Sequence, residues 1–264
     1  MNRIIVITGG TSGIGLETAK TLAAQGCTVY ELSRRGRGAA KGVKHITADV
    51  TDEAQVSAAV AQIVSEAGRI DVLINNAGFG ISGAIEFTDT ADAQRQFDVN
   101  FFGMVRMNHA VLPVMRRQGG GRIISMSSVA APIAIPFQAY YSASKAAVRT
   151  YMLALASEVK PFGIETCAIM PGDIATGFTA ARAKNPAGDD VYNGRISRSV
   201  AVMEHDEQTG ITAADAGAFV AKKALQKRVP VLCTLGGKYK VLVFLTRLLP
   251  MRLMVWLVGL IYAK

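Results

Sequence analysis

The sequence predicts an α/β fold: one doubly wound parallel sheet of about seven strands, helices on both faces, and an apolar helical tail. Three observations predict it. Short β-branched runs alternate along the chain with longer stretches of helical spacing. The runs are apolar at consecutive positions, as in strands covered on both faces. A glycine-rich turn stands between the first run and the first helical stretch. Right-handed crossovers then wind the strands into one sheet. Of 264 residues 50% are hydrophobic and 19% charged, which supplies a sizeable core and excludes a disordered chain.

The elements follow in order. Ile4 to Ile7 reads as the first strand, and Leu16 to Ala24 as the first helix. Thr28 to Leu32 and Val43 to Thr47 are strands, and a helix runs from Asp52 to Ala67. Asp71 to Ile74 is a fourth strand. A helix leads into Asn100 and continues from Met104 to Arg117. Arg122 to Met126, the helix Tyr140 to Lys160, and Ile164 to Met170 come next. Thr212 to Gln226 reads as a helix and Val229 to Cys233 as the last strand. With no repeat and no linker, residues 1–238 form one domain and 239–264 a basic, apolar extension.

The first turn reads Thr8-Gly9-Gly10-Thr11-Ser12-Gly13-Ile14-Gly15. Glycines at these points permit a tight turn and a close approach of backbone to a pyrophosphate resting on a helix N-terminus. Gly9, Thr11, Ser12, Gly13, Ile14 and Gly15 are therefore candidate dinucleotide contacts of a Rossmann-type sheet.

Together with Asn75-Asn76-Ala77-Gly78, Tyr141-Ser142-Ala143-Ser144-Lys145 and Pro171-Gly172, this turn resembles, in order and spacing, the motif set of the short-chain dehydrogenase/reductase family. The resemblance covers about residues 3–235. The stretch through Pro136-Phe137 to the tyrosine is most similar to the hydroxysteroid and retinol dehydrogenase branch.

The resemblance implies an oxidoreductase moving a hydride between a nicotinamide cofactor and a carbonyl or alcohol. Tyr141 is then the proton donor and acceptor, and Lys145 its partner and a ribose contact. The two share a helix face at i and i+4, and a nearby ammonium is expected to lower the phenol's pKa. Ser128, thirteen residues before Tyr141, is the expected substrate-oxygen contact, with Ser127 as the fallback. Asn100 matches the asparagine that orders a water leading to the lysine; a helix-kink role is equally open. Asn76, Ala77 and Gly78 would support the cofactor ribose. Pro171, Gly172, Ile174 and Thr176 would meet the nicotinamide, and Asp49 with Val50 the adenine.

Which nicotinamide is decided at the end of strand two. NAD-binding sheets carry an acid there. Here stands Ser33-Arg34-Arg35-Gly36-Arg37, and Glu31 comes too early. Arginine forks suit a 2′-phosphate. NADP(H) is the expected cofactor, read by Ser33 and Arg34 with help from Arg35.

Phe79, Gly80, Val129, Ile133, Ile135, Phe137 and Gly172 are the expected pocket lining, with Phe79, Ile135 and Phe137 the main substrate contacts beside Ser128 and Tyr141. A loop from Phe178 to Arg198 is the expected lid. An apolar lining favours a hydrophobic ketone or secondary alcohol, steroid- or retinoid-like. The alternative is a reductase of membrane lipid carbonyls. A non-enzymatic NADP(H)-sensing module is disfavoured, because sensing needs no acid aligned with a nicotinamide. The lid's Arg182, Lys184, Arg195 and Arg198 raise an anionic substrate group, against which Asp189, Asp190, Glu204, Asp206 and Glu207 count.

The net charge of +9 sits at one end. Through Asp215 basic and acidic residues balance; after it come nine basic residues and no acid. A tail both basic and apolar suits an anionic lipid surface better than a nucleic acid. Its apolar run Leu253 to Ala263 falls short of the roughly 20 residues a spanning helix needs. Pro250 should split it into two short helices. Peripheral membrane contact, pocket closure and subunit contact are its possible roles, and a homodimer or homotetramer is expected. Cys27, Cys167 and Cys233 are too scattered for a disulfide framework. His45, His109 and His205 lack ligand spacing and read as surface residues, so no metal is expected. The start lacks a secretory signal, which makes the cytoplasm the expected location.

Overall fold

The computed structural model describes residues 2–35 and 40–263; Gly36 and Arg37 of the basic stretch and Lys264 of the tail lie outside the described residues. In chain order the elements begin with β1 (Ile4–Thr8), α1 (Gly13–Ala24), β2 (Thr28–Ser33), β3 (Lys44–Thr47), α2 (Glu53–Ala67) and β4 (Val72–Asn75). Next are β5 (Ile81–Ser82), α3 (Thr90–Phe97), α4 (Gly103–Arg117), β6 (Gly121–Met126), α5 (Ala139–Val159) and β7 (Ile164–Pro171). The chain closes with β8 (Ile174–Ala175), α6 (Phe178–Ala181), β9 (Ala183–Lys184), α7 (Arg195–Gln208), β10 (Ile211–Thr212), α8 (Ala213–Leu225), β11 (Leu232–Leu235), α9 (Gly237–Leu245) and α10 (Met251–Tyr262).

Seven strands form the sheet in the order β11-β7-β6-β4-β1-β2-β3, every pair parallel. Side chains alternate between its faces. Val6, Tyr30, Leu73 and Ile123 pack on α2, α4 and α5 through Ile63, Met107, Met115 and Met152. Ile5, Ile7, Ile74 and Ile169 face α1 and α8 through Leu22, Val220 and Ala224. The chain winds outward both ways from β1 and β4. A crevice therefore opens at their carboxyl ends, where open α/β sheets bind ligands. Pairing of Ile7 with Ile74 brings Thr8 and Asn75 to that crevice together.

Several expectations need correction. The last strand begins at Leu232, three residues later than predicted. Pro230 lacks an N–H for a ladder, and strand contact starts where Ala168 donates to the Val231 carbonyl (2.8 Å). The lid is not all loop. It holds α6 and β9, and α7 starts inside it at Arg195; Ile196, Ser199 and Met203 face inward at helical spacing. His45 is no surface residue: its Nδ1 meets the buried Glu31 carboxylate and its Nε2 lies 3.0 Å from the Thr47 hydroxyl. Beyond these corrections, β7 and β11 bring the sulfurs of Cys167 and Cys233 to 3.7 Å, both remaining free thiols.

Arg122, buried at the start of β6, ties the sheet to α8. It pairs with Glu165, and its Nη1 donates to the carbonyls of Lys223 (2.9 Å), Ala224 (2.8 Å) and Gln226 (2.8 Å) at the helix's C-terminal end. These carbonyls lack helix partners and carry the negative end of the dipole. Arg122→Ala is expected to lower the unfolding free energy by about 3 kcal/mol. Urea unfolding followed by far-ultraviolet circular dichroism reads this; a loss below about 1 kcal/mol would refute the clamp.

Candidate active site

The turn after β1 has the geometry its glycines imply. Gly9 and Gly13 sit at φ +67° and +52°, where side chains are disfavoured. A Cβ on Gly15 would lie 2.3 Å from the Gly9 carbonyl oxygen and 2.5 Å from the Asn76 amide nitrogen. The Thr8 hydroxyl accepts the backbone N–H groups of Asn76 and Ala77 (both 3.1 Å), and Asn76 Nδ2 donates to the Thr8 and Gly9 carbonyls (both 3.0 Å). These bonds hold the turn against the end of β4. Ser12, extended at the head of α1, makes no side-chain cap. The helix's first N–H groups are left for an anion, and Gly15 lets the Gly9 carbonyl and the Asn76 amide pack against the turn where any side chain would collide. The residues present fit a dinucleotide pyrophosphate.

The catalytic candidates converge at the ends of β6 and α5. Three serines on β6 and the residues after it have separate partners. Ser125 accepts from Asn75 Nδ2 (3.2 Å), and Ser127 donates to the Lys145 carbonyl (2.8 Å). Ser128 accepts the Ala130 N–H (3.0 Å) and stands beside the Tyr141 phenol, whose pKa it lowers. Ser128, rather than Ser127, is thus the serine beside the tyrosine. Lys145 is buried, its ammonium donating to the Met126 carbonyl (2.8 Å) and standing 5.7 Å from the Tyr141 ring centre.

The expected lowering of the phenol's pKa is overturned. Burial pushes Tyr141 up to about 12, and Ser128 opposes this. The cause is burial; the ammonium itself bonds a backbone carbonyl and stands over the ring. Burial also pulls Lys145 down to about 8.

Asn100 lies in a π-helical turn, Asp98–Phe102, between α3 and α4. Its Oδ1 accepts the Phe79 N–H and its Nδ2 donates to the Phe79 carbonyl (both 2.9 Å) and to Ser144 Oγ (3.1 Å). The side chain is spent clamping the strand after Gly78 to α5, which is the kink reading.

At the end of β2, Arg34 and Arg35 are exposed and Ser33 half-buried. Ser33 donates to Glu31 Oε1 (3.1 Å) and to the Arg35 carbonyl (3.0 Å). Glu31 turns inward to the Gly10 N–H (3.2 Å) and His45, so no carboxylate is presented at the strand end. Asp49 Oδ1 accepts from the Thr51 N–H (2.9 Å) and hydroxyl (2.8 Å), and Val50 packs on Gly103. On the far side Thr176 faces Gly13, and Ile174 packs with Ala216 and Leu235.

The pocket wall differs in part from expectation. Gly172 is covered by Tyr239 of the tail: a Cβ there would fall 2.0 Å from that ring. Tyr239 donates its hydroxyl to Asp173, whose pKa burial raises. Val129 joins Met170, Tyr239 and Val243 in one cluster. Phe137 is held at φ +57° and packs edge-on against Tyr192 of the lid, centroids 5.5 Å apart. Ile133 is buried and Ile135 half-buried. Phe178 covers Tyr141 (5.7 Å between rings) and borders Gly80.

The lid's basic residues do not form an anion site. Lys184 pairs with Glu204, Arg195 donates to the Ala263 carbonyl (2.7 Å), and Arg198 stands over Gly194 beside Asp189. Arg182 alone turns inward, pairing with Glu207 while its Nε and Nη1 have no hydrogen-bond partner. Glu207 also accepts from Thr179 (2.6 Å). Sequence reasoning missed Thr8, Asp173 and Tyr239. Asp173 adjoins the Pro-Gly motif and was within reach; the tail's tyrosine carried no local signal.

Comparison with known proteins agrees with this geometry. Residues 3–187 match the family described as short chain dehydrogenase. A curated protein of Bacteroides thetaiotaomicron, named 3-ketodihydrosphingosine reductase, is 43% identical over 242 residues, covering 91% of this chain and 90% of that one. The crystal structure of a short-chain dehydrogenase from Streptomyces avermitilis is 29% identical, with a TM-score of 0.82 over 94% of this chain and 92% of that one. A structure titled ElxO with NADP bound is 25% identical, with a TM-score of 0.75 over 91% and 100%.

The buried lysine has a stability signature. Above about pH 8 the folded chain has shed the Lys145 proton while the unfolded chain keeps it up to about 10.5. The unfolded state then binds more protons, so this group makes stability rise with pH in that window. The unfolding free energy of the native chain minus that of Lys145→Met is expected to grow by roughly 2 kcal/mol from about pH 8 to about pH 10. A difference independent of pH would show that Lys145 titrates normally.

Proposed function

The chain belongs to the short-chain dehydrogenase family, and we propose that it reduces the ketone of a long-chain amphiphilic lipid, of the 3-keto sphingoid-base kind, to a secondary alcohol with NADPH. The observation that carries the reaction is the meeting of Ser128, Tyr141 and Lys145 at the sheet's switch point. The substrate class is supported by the 43% identical relative's name, 3-ketodihydrosphingosine reductase. Phe178, packed against the Tyr141 ring, gives an alkyl chain an apolar contact beside the phenol. A steroid- or retinoid-like ketone is the reading this one is tested against.

In this proposal the bound cofactor supplies the hydride. The turn from Gly9 to Gly15 and the head of α1 hold its pyrophosphate, and Asp49 with Val50 its adenine. Lys145 and the Asn76–Gly78 backbone hold the ribose, and the Pro171–Thr176 segment the carboxamide. Tyr141 holds its proton at neutral pH, and this is the form a ketone reduction needs. Ser128 accepts a backbone N–H, which leaves its own proton for the Tyr141 phenol or the substrate oxygen. Arg182 offers two unpartnered buried donors, and Glu207 beside it an acceptor, to the polar groups flanking the ketone. A subunit contact would bury the groove between Phe97, Phe102 and Tyr140.

A panel of long-chain 2-amino-3-ketones, steroid ketones and retinal, with NADPH oxidation followed at the nicotinamide band, tests the substrate. The keto-lipid is expected to have the highest kcat/KM. Tyr141→Phe should lower kcat on the order of 1,000-fold with dinucleotide affinity intact. Arg182→Met should raise KM for the keto-lipid and leave KM for a simple apolar ketone in place. Preference for a steroid or retinal would reject the lipid reading.

NADPH over NADH is supported by Arg34 and Arg35 at the end of β2, by Glu31 being turned inward, and by a solved relative titled with NADP. Arg34→Ala with Arg35→Ala is expected to raise KM for NADPH roughly 10- to 100-fold and to leave KM for NADH unchanged. A native enzyme that prefers NADH would refute this choice.

A further inference from the structure

The last two helices carry a surface that the fold does not explain. α9 turns Tyr239 and Val243 inward and leaves Val241 and Phe244 outside. α10 buries Met254 alone of its twelve residues, while Met251, Val255, Trp256 and Ile261 are each more than half exposed. A surface helix of a soluble domain ordinarily has a polar side toward water. α10 has one charged residue, Arg252. Lys238, Lys240, Arg247 and Arg252 are exposed around this apolar surface, and none has a carboxylate within salt-bridge distance among the described residues. No acid follows Asp215.

We infer that α9 and α10 dock the enzyme on a bilayer surface carrying anionic lipids. The apolar side chains sink into the headgroup boundary, and the four basic residues meet lipid phosphates. Charge selects this occupant. In a two-fold contact with a second copy, the same cations would face one another with no acid to pair them. A lipid surface offers the opposite charge, and it accepts a helix that is apolar almost all round without asking for matched hydrogen bonds. Neither helix is long and apolar enough to cross a membrane, so both lie in its plane. Docking does not rest on the keto-lipid reading: an enzyme so placed could act on a soluble ketone.

Trp256 is the chain's sole tryptophan and stands on this surface, so the native protein reports its own docking. With vesicles of phosphatidylglycerol its emission is expected to shift to the blue and the protein to sediment with the lipid; with phosphatidylcholine alone both effects should be small. Lys240→Ala, Arg247→Ala and Arg252→Ala together should weaken partition on the order of 100-fold, roughly fivefold for each basic residue, with turnover of a soluble ketone unchanged. Three outcomes overturn the inference. One is no shift on anionic vesicles. Another is a vesicle-free shift that grows with protein concentration alongside dimer formation in sedimentation velocity. The third is a shift produced by soluble polyglutamate and not by vesicles, which assigns the surface to an acidic protein.

Discussion

A lysine ammonium buried against a backbone carbonyl organises the site. Lys145 donates to Met126 at the end of β6, and the Lys145 carbonyl in turn accepts from Ser127 one residue further on. Strand end and helix are thereby stapled in both directions. This fixes Ser128 beside Tyr141, because Ser127 is spent and the next side chain must turn the other way. Asn100 completes the frame from behind, gripping both backbone groups of Phe79 and the Ser144 hydroxyl on α5. A charge in so dry a place is costly, and the lowered pKa records that cost. The arrangement keeps three elements from β4, β6 and α5 in one register around a single phenol.

Burial and charge compete at that phenol, and in this structure burial wins. The i, i+4 spacing correctly put Tyr141 and Lys145 on one helix face, but a shared face does not fix where the ammonium points. The backbone carbonyl of Met126 accepts from it, and desolvation is the largest influence on the tyrosine.

Much of the fold was legible because it is written in local, repeating signals. Consecutive apolar residues gave the seven sheet strands, and the glycines of the first turn sit where side chains would collide. Ser128 was found by spacing and separated from Ser127 only by the hydrogen bond that removes Ser127. What escaped was set by contacts between distant segments. The pairing of Cys167 with Cys233, the covering of Gly172 by Tyr239 and the engagement of each lid cation depend on which elements become neighbours. His45 looked like a surface residue because its contact with Glu31 joins two strands, β2 and β3, that local spacing does not register against each other. The helix from Arg195 escaped because its exposed face is crowded with charge and its inward face carries only Ile196, Ser199 and Met203.

The tail joins these two kinds of information. Its charge and hydropathy are plain in the sequence, but its attachment is not. Tyr239 fills the space above Gly172 and bonds Asp173, within the segment assigned to the nicotinamide end of the crevice. At the other end of the tail, Arg195 of α7 holds the Ala263 carbonyl, and the Tyr262 hydroxyl reaches Asp206 (3.5 Å) beside Glu207. The exposed apolar helices are therefore fastened at one end to the floor of the site and at the other to the helix carrying Arg182's partner. A surface that rests on lipid at α10 would hold the lid side of the pocket near the bilayer, where an amphiphile's chain already lies. The physical constraint is that the same two helices must both present apolar surface outward and keep Tyr239 inward, and the break at Pro250 lets them do both.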